Sequence, residues 1–425
     1  MMTRAVHSVR LGGRDVRAAL RCLVVVVAAC GGDAGERGSL EVERITRGDT
    51  LIVRTLAGSV WDTTATLVEE VRIGTLDGAD EEMFGAVSEL APDGEGGVYV
   101  FDGRAPALRH FDAAGQYTHT LGGEGSGPGE YRDAALGLFV VQGGRVLMYD
   151  PRNARINVYD PDGTPADHWM VASGLFARNT TLVDTAGEIY IKIMLGRPER
   201  NRPWPIGLLH LDARGQFVDT IPEPRIAGEP DAAAGTFGEA KVWEMSPLGY
   251  LVIGLNNTYS FELRKPDATV VRVEKAHSPV TLHPEERAEY EALNAWTRRN
   301  RSQFMTSDVP PLPDAKPAYS SFSIGADGRI WVRVHTAARK VEVDPPSALP
   351  GVTEPPPALT WREPVLFDVF DPDGNYLGQI RMPDRTTLLA HRGAEVWATQ
   401  RGEFDELYVV RYRLVVTPPD SIEPG

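Results

Sequence analysis

PDGEGGVYVFDGRAPALRHFDAAGQYTHTLG, residues 92–122, holds three short apolar segments separated by turns that carry glycine. The segments alternate and are rich in Val, Tyr and Phe, as half-buried antiparallel strands are. Asp-Gly and Ala-Gly supply the positive φ of tight hairpins. The same order recurs at 143–171, where GGRVLMYD precedes INVYDPDGTPADHWMV, and at 186–221, where AGEIYIKI precedes LLHLDARGQFVDTI. It recurs in weaker form at 248–274 and clearly again at 327–382 and 393–416.

Another apolar segment stands ahead of each copy, such as 84–90 or 136–141, which makes four strands per unit. Six four-stranded units arranged radially make a β-propeller, a fold that protects its sheet edges by closing a ring. The last unit is one strand short at its C-terminal end. The N-terminal segments DTLIVRTL (49–56) and ATLVEEVRIG (65–74) can supply it. The expected fold is therefore all-β: a six-bladed β-propeller of four-stranded antiparallel blades over residues 44–417. Its ring is closed by an N-terminal strand, and a long loop carries one helical insertion at 281–319.

Residues 121–131, LGGEGSGPGEY, look at first like a phosphate loop. The dinucleotide fingerprint needs a third glycine three places after the second, and here those places hold Pro128, Glu130 and Arg132. No lysine follows, and Glu124 and Glu130 would repel a phosphate. Glycine instead gives backbone freedom for a long return from an outermost strand to the next innermost one, and Pro128 stiffens it.

With that connector in place, the chain resembles the NHL-like six-bladed β-propeller proteins of bacteria. The resemblance rests on G-x-G-x-G-P-G-E-Y after Leu121-Gly122, and on Val71-Arg72-Ile73-Gly74 ahead of Phe84-Gly85. It rests also on Tyr149-Asp150 with 155–160, and on Asp327-Gly328-Arg329-Ile330-Trp331-Val332. It runs from about Val68 to Val416, and blade four departs from the pattern. Many members of that family are predicted surface or periplasmic lipoproteins, so the resemblance implies an extracytoplasmic protein.

The N-terminus fits that implication. Arg4, Arg10, Arg14, Arg17 and Arg21 precede the apolar run 23–29, the order of a bacterial export signal. Val27-Ala28-Ala29-Cys30 resembles the lipobox of bacterial lipoproteins, which implies acylation at Cys30, removal of 1–29 and a flexible tether at 30–43. A plain secretory signal is the alternative. Removing 1–29 takes away five arginines and one aspartate, which moves the formal charge from −15 to −19. It leaves Cys30 as the single cysteine, so packing rather than a disulfide holds the domain together. Residues 418–425 read as a C-terminal tail. With no basic cluster beyond residue 21, nucleic acid is not an expected partner.

Strand parity points to one face. Turns between first and second strands, and between third and fourth, fall on one face of a propeller; the remaining connections fall on the other. The long segments (123–132, 195–205, 223–241, 281–319 and 336–364) are all of the second kind, and long loops on a rigid scaffold are where binding resides. Within 281–319, Pro284 suits a first helical position, Glu285 and Glu286 the first turn, and Arg298 and Arg299 the last. Tyr290, Leu293 and Trp296 share one side and are expected to pack on the body.

Arg104, Arg152, Asn153, Lys192, Asn256 and Arg333 end second strands on the long-loop face and form the candidate binding rim, or a solvated rim paired to carboxylates. The Asp-Gly turns at 93, 160–163 and 371–374 lack the rest of a calcium loop and read as hairpins. No catalytic set, metal ligand set or cofactor motif stands out. The leading function is a lipid-anchored, monomeric binding scaffold in the bacterial cell envelope, taking a protein, peptide or envelope polymer. The alternative is a metal-dependent propeller hydrolase or lyase of the lactonase kind. For that the expected inner strands offer Glu89 and Glu244 without a clear Asn/Asp complement.

Overall fold

A computed structural model of the chain describes residues 25–26, 40–132, 135–171, 176–197, 199–300, 308–348, 352 and 354–417, with backbone alone at 25–26 and 176–180. The expected signal segment apart from 25–26, the lipid site Cys30 and the tail 418–425 lie outside the described residues.

Among the described residues, strands group into six antiparallel units over 87–121, 138–170, 176–222, 241–275, 319–381 and 386–415. In units one to five, four strands pair in chain order. Unit six takes its fourth strand, Thr64–Ile73, from the N-terminal part of the chain. It runs antiparallel to Leu407–Val415, with Val410 opposite Arg72. The segment 49–56 goes elsewhere than expected. Thr50–Ala57 pairs in parallel with Val270–Lys275 on the outer edge of unit four and forms a hairpin with Glu41–Arg47. That strand begins inside the stretch expected to be tether. Charge and packing explain the placement: Arg54 bridges Glu43 at 3.0 Å and Glu274 at 2.8 Å, while Val53 is buried in the core between units four and five.

Burial falls off from the middle of each unit to its outer edge. Val98–Asp102 and Val146–Asp150, both second strands, are buried at every position. The fourth strands Pro165–Met170 and Phe217–Pro222 are mostly exposed. Second strands therefore read as unbroken apolar runs, because each meets a neighbouring unit on both faces. The core is divided accordingly into six clusters, each shared by two successive units. One of them joins unit six to unit one, through Ile73, Trp397 and Val409 against Leu90, Val98 and Phe111. The innermost strand of unit six, Thr386–Arg392, also touches that of unit one, Val87–Pro92.

The glycine-rich connector cradles a cation of the protein's own. Arg155, buried, donates to the carbonyl oxygens of Ser126 (3.2 Å), Gly127 and Glu130 (2.8 Å). Tyr159 Oη donates to Gly129 O at 3.0 Å, and the Glu130 carboxylate accepts Gly127 N–H at 2.6 Å. Gly122 has φ +63, and a Cβ there would stand 2.2 Å from Gly129 O, so no other residue fits. The Asp-Gly turns are hairpins. At Asp93 and Asp371 an aspartate oxygen accepts backbone N–H groups two and four residues on, as Asp371 does from Asp373 and Asn375 at 2.9 Å, and at 160–163 Asp162 accepts Thr164 N–H at 2.9 Å.

The expected helix, α1, is Pro284–Arg299, capped by His283 in a capping box with Glu286. Trp296 is buried and donates to Glu354 O, Tyr290 meets Phe237 edge-on at 5.0 Å, and Glu289 accepts Thr360 N–H at 2.6 Å. The helix thus packs on the body and pins the 336–364 segment beside it.

Candidate functional site

The six innermost strands surround a cavity of about 1000 Å³ on the axis. Its wall mixes apolar and polar side chains, with Leu138, Val140, Leu182, Met245, Phe322 and Leu389 among the apolar ones. One end is ringed by the short turns that follow the innermost strands, at Gly94, Gln142, Ala186, Pro247, Ala326 and Arg392. Gly94, Gln142, Ala186 and Arg392 are exposed, which puts that end at the surface. None of the long segments 123–132, 195–205, 223–241, 281–319 and 336–364 lines the cavity. The long-loop face lies at the other end of the strands.

Among the polar groups on the wall, three features involve carboxyl or imidazole side chains shifted by burial. Glu89, on Val87–Pro92, has no hydrogen-bond or ion-pair partner among the described residues. It keeps some accessible surface because it faces the cavity, but protein encloses it, and burial pushes its carboxyl from 4.5 up to about 7. Glu244, on Lys241–Met245, is raised by burial as well, and Lys192 pulls back against that shift through an ion pair at 2.8 Å. Lys192 also lies over the Trp243 ring, 4.6 Å from its centre. The third is His391, on Thr386–Arg392. Its Nε2 stands 3.1 Å from Ser323 Oγ and its ring stacks on Trp331 at 4.4 Å. Burial lowers its pKa to about 4, so it is a neutral imidazole at pH 7. Asp327, nearby, is engaged by the N–H groups of Arg329 and Gly393 and by the Arg329 guanidinium.

Of the six expected rim residues, Lys192 lines the cavity and the other five do not. The second strands end in a buried acceptor that organises the incoming backbone. Asp102 accepts the N–H groups of Gly85, Ala86 and Arg104, and Asp150 those of Arg132, Arg152 and Asn153. Asn256 does the same for Ala240 at 2.8 Å. Asn153 spends its amide on Gly125 O and Asp150. The Arg104, Arg152 and Arg333 residues are exposed around this framework. Glu89 and Glu244 were legible as inner-strand carboxylates. Ser323 and His391 were not, because a Ser and a His some seventy positions apart on two strands carry no motif.

Glu89 gives a direct prediction. Its proton is retained in the fold where the unfolded chain has lost it, so its contribution is full below pH 4.5 and is lost as pH rises through 7. Glu89→Gln cannot ionise. Urea unfolding of both proteins across that range is expected to move in favour of the variant as pH rises, by up to about 3 kcal/mol above neutrality. His391 adds an opposite slope, losing stability as pH falls from 6.5 through 4, but it does so in both proteins and cancels in the difference. Parallel curves would show Glu89 to be solvated.

No protein-family model matches the chain, and no curated protein matches it in sequence. Solved structures do. A member of the DUF4221 family from Bacteroides vulgatus is similar over 83% of this chain and 99% of its own, at 12% identity and TM-score 0.50. The chain has a propeller-type fold. A protein from Bacteroides fragilis described as exported aligns over 86% of this chain and 99% of its own, at 10% identity and TM-score 0.45. A calcium-binding protein, regucalcin, from Agrobacterium tumefaciens aligns over 83% and 96%, at 14% identity and TM-score 0.36. Among the described residues of this propeller-type chain, no group of three or more His, Cys, Asp or Glu side chains is placed to hold a metal ion. No helix there is long and apolar enough to cross a membrane.

Proposed function

We propose that the protein is a six-bladed propeller, closed by Thr64–Ile73, that binds a small ligand in its axial cavity. The export signal and the lipobox-like Cys30 support an anchored, extracytoplasmic placement for it, acting as a monomer. The observation that carries the binding reading is the cavity itself: about 1000 Å³, lined by a substantial apolar surface, open at the short-turn face and holding an unpaired carboxyl. That volume suits a drug-sized molecule, and an apolar wall with a few polar groups is the usual make-up of a ligand site. A protein, peptide or envelope-polymer partner on the long-loop face has less direct support, because Asn153, Asn256 and helix α1 there are committed to the protein's own backbone and core.

The hydrolase or lyase reading is favoured by one observation, that Glu89 titrates near neutrality inside a cavity, where a general acid or base works best. The metal-dependent form of it has no ligand set among the described residues.

Filling the cavity tests the binding reading. Val140, on the innermost strand of unit two, faces the cavity. Wild type and Val140→Trp, each purified whole, are denatured and their extracts compared by mass spectrometry. The expected result is a small molecule released by wild type and missing from a folded Val140→Trp. Equal recovery from both would place any ligand outside the cavity.

A further inference from the structure

The cavity's charges are unevenly spent. Lys192 is committed to Glu244 at 2.8 Å. His391 is engaged with Ser323 and stacked on Trp331. At the surface end, Arg145 pairs with Asp160 at 3.4 Å, and Arg392 is exposed to water. Asp184 accepts Ala186 and Glu188 N–H at 2.9 Å, and Glu395 accepts from Trp397 Nε1 at 2.9 Å, which leaves Glu89 as the carboxyl in the enclosed part of the cavity with no partner among the described residues.

We infer, resting on the axial-cavity reading, that the ligand is an organic cation: an apolar body carrying an ammonium group that pairs with Glu89. The alternatives fit worse. An anionic ligand finds no free cation in the enclosed part of the cavity and stands against a carboxylate. A neutral apolar ligand leaves Glu89 buried without a partner, which is costly for a charged group and still costly for a protonated one. An ammonium removes that cost, because a charge-assisted pair away from bulk water is stronger than one at the surface. The apolar wall then takes the rest of the molecule, and the exposed turns give it a way in. The pairing also fits the raised Glu89 carboxyl, which an approaching cation would draw back toward its ionised form.

Three compounds of one shape separate the cases: phenethylammonium, 2-phenylethanol and 3-phenylpropionate, titrated calorimetrically against the full protein at about pH 8, where Glu89 is mostly ionised. Phenethylammonium is expected to bind about tenfold or more tighter than either congener, the worth of one charge-assisted contact. Glu89→Gln is expected to abolish that preference while leaving 2-phenylethanol binding unchanged. Equal affinity for the three, a preference for 3-phenylpropionate, or a phenethylammonium preference that survives Glu89→Gln would each overturn the inference. So would no binding by any of them. In all these cases the cavity reading stands or falls separately, on the Val140→Trp extraction.

Discussion

A chain cut to begin at Leu76 is expected not to fold, and a peptide covering residues 40–75, which carries both the Glu41–Ala57 hairpin and Thr64–Ile73, is expected to restore it. Loss of Thr64–Ile73 strips unit six of its fourth strand and leaves the nine-residue strand Leu407–Val415 as a bare edge. It also removes two residues that are 2% exposed: Ala65 from the core between units five and six, and Ile73 from the core between units six and one. The ion pairs of Glu70 with Arg411 and Arg413 go with them. A long, flat, apolar edge invites pairing with other chains, so the truncated protein is expected in aggregates. Burial of the two side chains alone is worth a few kcal/mol, of the order of a domain's whole margin. Rescue by that peptide but not by residues 40–57 alone distinguishes loss of the unit-six strand from a general loss of stability. A soluble truncated protein with the native circular dichroism spectrum would show that the fold does not depend on this strand.

The second large effect is expected at Lys316. Its side chain is 0% exposed and meets Glu286 of α1 at 2.6 Å and Glu363 at 3.0 Å. Thr336 O accepts from it at 3.3 Å, and the Phe237 ring lies 5.2 Å away. Burial alone would raise the Glu363 carboxyl. Hydrogen bonds from His335, Thr336 N–H and Lys316 outweigh burial and hold it below the usual carboxylate range. One buried ammonium thus ties together the helix, the 336–364 segment and the 223–241 segment. Lys316→Met leaves two carboxylates facing each other out of water, and urea unfolding is expected to show a loss of about 3–5 kcal/mol. Adding Glu286→Leu should return part of that loss, because a buried group without a partner costs more than an apolar pair. The Glu363 share is present above about pH 4.5 and lost as pH falls through its lowered value. A Lys316→Met protein of wild-type stability would mean that water reaches the cluster.

The repeat was legible because units one, two, three and five carry the same signals in the same order: an apolar second strand, a third strand and an Asp-led hairpin into the fourth. VYVFD and VLMYD announce second strands buried on both faces, and the Asp112 and Asp371 turns announce their hairpins. Helix α1 was legible from Pro284 and the charges at its two ends. The destination of Thr50–Ala57 was not, since an amphipathic strand pairs with whichever edge matches it, and the match here is the Arg54 pair with Glu274 across the fold. The site was only partly legible. Strand parity placed the long segments on one face, but the cavity opens at the other, among short turns that read as ordinary hairpins. Its chemistry comes from single residues on five separate strands. Glu89 stands out only once its neighbours in space are known to be apolar, and His391 only once Ser323 stands beside it.

The most direct test of the account is a crystal structure of the protein purified from cells that make it, without added ligand. The account predicts ordered density for a small molecule inside the ring, against the Glu89 carboxyl and the apolar wall around Leu138 and Phe322. A cavity collapsed onto its own side chains, or filled by a segment of the chain itself, would contradict it.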